Sequence, residues 1–207
     1  MLTDTQRALA VALLDIGAVR FGAFKLKLHE KSPTAPLSPI YIDLRVIRSF
    51  PRAMDVAAEA LRELTSDTVF DCYADVPTAA TPIVAVLSYK TGRPMISPRL
   101  DKKTHGTGAT IDGAFKAGQV ALLIDDLITK AESKLEAISS LEANGLLVRD
   151  VLVLVDRQQG GVRELAERGY RCRAALGLTD MLDFYHQSQT ISEDDYLRTT
   201  EYLGGSV

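Results

Sequence analysis

The chain has 207 residues, 46% hydrophobic and 25% charged, with a formal net charge of −3. That length suits one α/β domain with elaborations, and the mild acidity excludes a global basic field for nucleic acid or an anionic membrane. No apolar run approaches the ~18 residues of a membrane span, and Cys72 and Cys172 lack metal-ligand or redox spacing, so a cytoplasmic protein with reduced thiols is expected.

Thr3 or Asp4 is placed to cap a first helix in which Leu9, Leu13 and Ile16 recur at helical spacing. Charges inside that segment make it an amphipathic helix and not a signal peptide. Ala23–Leu28 alternates as a short strand, residues 29–38 form a proline-bearing loop, and Ile40–Leu44 reads as a second strand. Pro51–Leu64 is predicted helical with Pro in its first turn. Next come a short strand at Val69–Tyr73, a helix over Pro77–Lys90 ended by Thr91 and Gly92, and a strand at Met95–Pro98. Residues 99–118 carry Gly106, Gly108, Gly113 and Gly118 and read as a long functional loop with room for a small hairpin.

A regular alternation follows. Val120–Ile124 is a strand, Ser133–Asn144 a helix closed by Gly145, and Val148–Val155 a strand. Val162–Arg168 is a helix closed by Gly169, Arg171–Leu176 a third strand, and the tail from Thr179 holds one or two short helices. This order implies a mostly parallel sheet with right-handed crossovers. With no internal repeat or boundary, residues 1–207 are expected to form one domain.

The chemistry concentrates where the Val120 strand meets Asp125 and Asp126. Ligands of parallel sheets gather where strands end and helices begin. Two adjacent carboxylates there suit a sugar diol, whose hydroxyls donate to carboxylate oxygens. Thr129, Ser133 and the backbone N–H groups at the following helix start suit a phosphate. Diol and phosphate together describe a ribose 5-phosphate, although two acids can also merely end a strand and cap a helix.

The full segment VALLIDDLITKAES resembles the 5-phosphoribosyl diphosphate (PRPP) motif of type I phosphoribosyltransferases. The resemblance assigns PRPP to Asp125, Asp126, Thr129, Lys130, Ala131, Glu132 and Ser133. Ala131 stands near the family's usual glycine, with Lys130 available to compensate by charge.

Three further stretches resemble orotate phosphoribosyltransferases: FGAFKLK with LSPIYIDLR, then RLDKKTHG, then LVDRQQGG. They imply a small hood over residues 20–48 plus part of the C-terminal tail. Lys27 is then expected at the reaction centre, Tyr41 and Ile42 beside the orotate ring, and Arg157 on the orotate carboxylate. Arg99, Lys102, Lys103 and His105 become a catalytic loop, with Leu100 replacing a usual basic residue. The stretch YADVPTAA over 73–80 lacks the glycine and lysine of the family's diphosphate loop, and Asp75 is expected to repel the diphosphate unless Mg²⁺ intervenes.

The resemblance implies transfer of ribose 5-phosphate from PRPP to orotate in pyrimidine synthesis. Mg²⁺ would be carried by PRPP with no dedicated protein metal site, and the chain would act as a homodimer. A PRPP-binding regulator that has lost catalysis, and a phosphoribosyltransferase for another base, remain open on the sequence. No G-x-G-x-x-G follows a strand, which disfavours a dinucleotide fold.

Overall fold

The structure is a computed structural model and describes residues 2–30, 32–99 and 110–204, the side chains of residues 27 and 28 apart. Its first helix, α1 (Asp4–Asp15), is closed by a reciprocal capping box: the Thr3 hydroxyl accepts from the Gln6 N–H, and the Gln6 side chain accepts from the Thr3 N–H. Leu9, Ala10 and Leu13 form its buried stripe. An antiparallel pair follows, β1 (Val19–Phe24) and β2 (Ser38–Ile42), with Val19 opposite Ile42. The predicted strand at Ala23–Leu28 is therefore displaced towards the N-terminus, and Lys27–Glu30 coil into a 3₁₀ turn. The second predicted strand shifts likewise, because Asp43 caps a 3₁₀ turn over Leu44–Ser49.

Helix α2 (Pro51–Leu64) has the predicted bounds, with Pro51 in its first turn. The strand expected at Val69–Tyr73 starts three residues later and ends two later, as β3 (Cys72–Asp75), while Val69 is 83% exposed. Helix α3 (Thr81–Thr91) begins after a turn over 77–80, so Pro82 and not Pro77 occupies its first turn. Gly92, at φ +68°, ends it in the left-handed region that a glycine adopts without steric cost. Strand β4 (Met95–Pro98), which precedes the long loop, pairs antiparallel with the short β5 (Ile111–Asp112) inside it.

The remaining elements are β6 (Val120–Ile128), α4 (Glu132–Ala143), β7 (Leu147–Asp156), α5 (Gly161–Glu167) and β8 (Arg171–Gly177). Two tail helices close the chain, α6 (Leu178–Gln187) and α7 (Glu193–Gly204). The main sheet has the order β5-β4-β3-β6-β7-β8, parallel throughout except at β5. This is the mostly parallel, helix-flanked sheet that the alternation predicts.

Period-2 alternation sorts the strand side chains into two cores. Leu122, Ile124, Leu152 and Leu154 face α1, α2, α3 and α6. Ala121, Leu123, Val151 and Val153 face α4 and α5. Each fully buried Leu or Val contributes about 1.5–3 kcal/mol.

One boundary matters for function. Strand β6 runs four residues beyond its predicted end at Ile124. Its pairing with β3 stops at Asp75 opposite Ile124, whereas pairing with β7 continues to Ile128 opposite Asp156. Asp125 and Asp126 thus lie inside a strand, on the stretch where one flank has lost its neighbour and a cleft opens.

Candidate active site

Two adjoining clefts open over the C-terminal ends of β6 and β7. The larger, of about 480 Å³, is lined by Thr129, Lys130, Glu132 and Ser133 on one side and Arg157 and Gln159 on another. Leu26, beside the β1–β2 hairpin, and Tyr202 of α7 complete its wall. The smaller, of about 340 Å³, is lined by Asp125 and Asp126, by Ile42 and Arg45, and by Val76 and Pro77. Leu127, Ser133 and Lys134 border both. These volumes fall in or near the range of small-molecule sites.

The neighbouring aspartates have different environments. Asp125 is buried, and its Oδ2 lies 2.6 Å from the equally buried Lys134 Nζ. Its Oδ1 accepts the Asp126 N–H at 2.8 Å. Lys134 also donates to the Leu127 carbonyl at 2.5 Å, so this ion pair is closed on itself. Asp126 borders the cleft without such a cation. Burial first, and then the Asp125 carboxylate beside it, push its pKa up to about 7. A carboxylate in that state is stabilised by hydroxyl donors or a cation supplied from outside.

Arg157 is held by its backbone. Its N–H donates to the Ile128 carbonyl at 2.9 Å, tying the turn after β7 to the end of β6. Asp156 accepts the Gln158 N–H at 2.7 Å, and the Gln158 side chain accepts from both the N–H and hydroxyl of Thr179. These bonds hold Gln158 at φ +58°, a conformation unusual for a residue with a side chain. The Arg157 guanidinium is left open: its Nε and Nη2 are buried without a hydrogen-bond partner among the described residues. Burial pushes its pKa down from the usual range. A buried unpaired guanidinium is costly, and one carboxylate bound bidentately at its Nε–Nη2 edge satisfies both atoms.

Other expected site residues are placed as follows. Thr129, Lys130, Glu132 and Ser133 share the larger cleft with Arg157, and Ile42 meets Asp126 in the smaller one. Ala131 is wholly buried behind the loop, and its N–H donates to Glu164 Oε2 at 3.1 Å. Tyr41 lines neither cleft; it packs 5.5 Å from Phe24 with the Arg20 guanidinium 5.1 Å above its ring. Arg99 is ion-paired with Asp112 across the β4–β5 hairpin. Lys102, Lys103 and His105, and the side chain of Lys27, lie outside the described residues.

Asp75 departs from its expected role. It is fully buried at the end of β3, where its Oδ2 accepts the Thr81 hydroxyl. It borders neither cleft, so it makes no direct contact with what the clefts hold. The cleft-lining part of that loop is Val76, Pro77 and Ala79, with a cis peptide between Pro77 and Thr78.

Sequence reasoning passed over Lys134, Arg45, Gln159, Glu164 and Tyr202. Lys134 had a legible signal, since it shares the buried stripe of α4 with Ile138 and Leu141 at helical spacing. Arg45 is fixed by a two-pronged contact to Asp43, at 2.7 and 3.1 Å. Tyr202 and Glu164 reach the site through tertiary packing, which local sequence does not encode.

Among the described residues no group of three or more His, Cys, Asp or Glu side chains is arranged to hold a metal ion, and no helix is long and apolar enough to cross a membrane. Asp43, Asp125 and Asp126 line the smaller cleft and Glu132 the larger, and of these Asp43 and Asp125 are already ion-paired, with Arg45 and Lys134.

No family model matches the chain. It is 38% identical over 181 residues to the orotate phosphoribosyltransferase of Methanopyrus kandleri, covering 87% of this chain and 93% of that protein. It is 31% identical to the bifunctional enzyme PyrF/PyrE of Nostoc sp., covering 93% of this chain and 39% of the larger one. Among solved structures it superposes on the UMP synthase of Leishmania donovani with a TM-score of 0.85 and 36% identity, over 97% of this chain and 42% of that one. The chain therefore spans less than half of these two longer relatives and nearly all of the Methanopyrus protein. The fold is that of type I phosphoribosyltransferases, and with identity sustained along almost the whole chain, the protein belongs to the orotate phosphoribosyltransferase family.

Proposed function

We propose that this chain transfers ribose 5-phosphate from PRPP to orotate, releasing diphosphate and forming orotidine 5′-monophosphate for pyrimidine synthesis. One observation carries the choice of acceptor: Arg157, whose Nε and Nη2 are buried without a hydrogen-bond partner among the described residues, lines the cleft that also presents the phosphate loop Thr129–Ser133. Orotate brings a carboxylate for it, whereas uracil brings none.

The reaction forms a bond from an orotate ring nitrogen to the anomeric carbon and breaks that carbon's bond to the diphosphate oxygen. Positive charge grows on the ribose while negative charge grows on the leaving group, so the protein's contribution is chiefly positioning and electrostatics. Asp126, with Asp125 behind it, holds the ribose hydroxyls and favours the cationic sugar. Thr129, Lys130 and Ser133 take the 5′-phosphate at the start of α4. Arg157 fixes the orotate carboxylate, with Tyr41 and Ile42 assigned to the ring face by resemblance.

Arg99, Lys102, Lys103 and His105 are assigned to the departing diphosphate, and Lys27 to the reaction centre, also by resemblance. Mg²⁺ arriving with PRPP would supply further neutralisation of the diphosphate, with Asp126 a carboxylate lining the cleft. We extend the reading to a single catalytic domain whose hood spans 20–48 and part of the tail, working in the cytoplasm as a homodimer.

Incubation with PRPP, Mg²⁺ and orotate, followed by loss of orotate absorbance, tests the proposal. Saturable PRPP binding without turnover on orotate would shift the reading to a PRPP-binding regulator; turnover with another base alone would reassign the acceptor.

A further inference from the structure

Behind the phosphate loop lies a contact that the transfer chemistry does not use. Glu164, on the first turn of α5, directs Oε2 at the Ala131 N–H, 3.1 Å away, while its Oε1 lies 3.7 Å from Arg168 Nη2. Ala131 is the residue before α4 and supplies no side-chain cap to that helix. Glu164 lines neither cleft, so it meets the loop from outside both of them.

The same turn of α5 presses on the loop elsewhere. A Cβ at Gly161 would stand 2.6 Å from Ile128 Cγ1 and 3.0 Å from the Thr129 carbonyl oxygen, so only glycine permits this approach. The Lys130 amine lies 3.6 Å from where a Gly160 Cβ would be. Loop and α5 therefore form one packed unit, and α5 begins four residues after Arg157.

We propose that Glu164 is a positioning residue for the phosphate loop, holding Ala131 so that Thr129–Ser133 meet the 5′-phosphate of PRPP already ordered. This rests on the assignment of that loop to PRPP. Ordering a flexible loop at the moment of binding weakens affinity, and a carboxylate accepting a backbone N–H is a strong way to hold one beforehand. The negative charge of Glu164 cannot itself attract phosphate; it opposes the anion from behind. The benefit must come from the hydrogen-bond acceptor and not from the charge.

That distinction sets the test. Glu164→Ala should raise KM for PRPP roughly 10- to 150-fold, the range for a lost hydrogen bond to a charged group, with kcat little changed. Glu164→Gln keeps an acceptor and loses the charge, so its KM should stay within about twofold of wild type or fall below it. Glu164→Met, which keeps the stem and loses the acceptor, takes the place of the alanine variant if that one fails to fold. An unchanged KM in the acceptor-less variant, or a glutamine variant as impaired as it, overturns the inference. Titration of wild type with PRPP and Mg²⁺ separates the levels: absence of binding overturns the loop assignment itself, whereas binding with no loss in the variant overturns the role of Glu164 alone.

Discussion

The C-terminal ends of β6 and β7 are built alike and finished differently. Each lies at the same end of the sheet and runs on through a short turn into a helix. In each, one acidic residue is satisfied internally: Asp125 by Lys134, Asp156 by the Gln158 N–H. The next residue lines a cleft without an ion-pair partner among the described residues, Asp126 inside the end of β6 and Arg157 just after β7. Burial drives both towards neutrality, Asp126 upwards to about 7 and Arg157 downwards. The satisfied member of each pair is scaffold. The open one marks where a ligand supplies the missing partner, hydroxyls or a cation for the carboxylate and a carboxylate for the guanidinium.

Breaking the open member at the end of β6 should have the largest effect. Asp126→Asn is expected to lower PRPP-dependent turnover by two or more orders of magnitude, roughly what loss of an oriented charged contact in the transition state costs. Its thermal midpoint should hold or rise, since a buried like-charge contact is relieved. A variant that loses stability while keeping turnover would reverse the assignment. Lys103→Ala tests the loop outside the described residues, with a comparable loss of turnover expected.

Breaking the closed member gives the opposite signature. Lys134→Met leaves Asp125 buried and unpaired, which should cost about 3–5 kcal/mol of stability, read by denaturant unfolding. A loss under 1 kcal/mol would mean that the pair is not part of the scaffold.

The comparison sharpens with pH. Folded Asp126 keeps its proton up to about 7, whereas in the unfolded chain it loses that proton near ~3.9. Between those values the folded state binds more protons, so this group makes the ligand-free protein more stable as pH falls from about 7 towards about 4. Accepting two ribose hydroxyls requires the ionised form, so PRPP affinity should weaken over the same descent. Isothermal titration at pH 6 and pH 8 reads the second effect, and equal affinities would contradict it. The smallest effect is a control far from the clefts: Thr3→Ala removes half of the α1 capping box and should cost about 1 kcal/mol without altering KM.

Much of the frame was legible because the local signals agree. Pro51 and Gly92 mark helix ends by backbone geometry alone, and the apolar runs of β6 and β7 read as buried parallel strands. The aspartates and Arg157 were legible as chemistry. Less legible was anything set by a partner distant in sequence. Strand β6 continues through Asp125 and Asp126 because β7 still pairs with it there, which outweighs the poor strand preference of aspartate. Asp75 looked exposed to a diphosphate, yet its contact with Thr81 folds it inside. Tyr41 is expected beside the orotate ring, and its packing against Phe24 with Arg20 over both rings could not be read from the local sequence. Glu164 gave no sign in the sequence, because its partner Ala131 lies 33 positions away.

The central claim is that an unmet guanidinium selects the acceptor, and kcat/KM for orotate and for uracil, in wild type and Arg157→Ala, tests it most directly. Wild type should turn over orotate and barely use uracil. The variant should lose roughly a hundredfold on orotate, in keeping with removal of a bidentate charged contact, and keep its KM for PRPP. Equal use of both bases by wild type, or an undiminished orotate rate in the variant, would contradict the account.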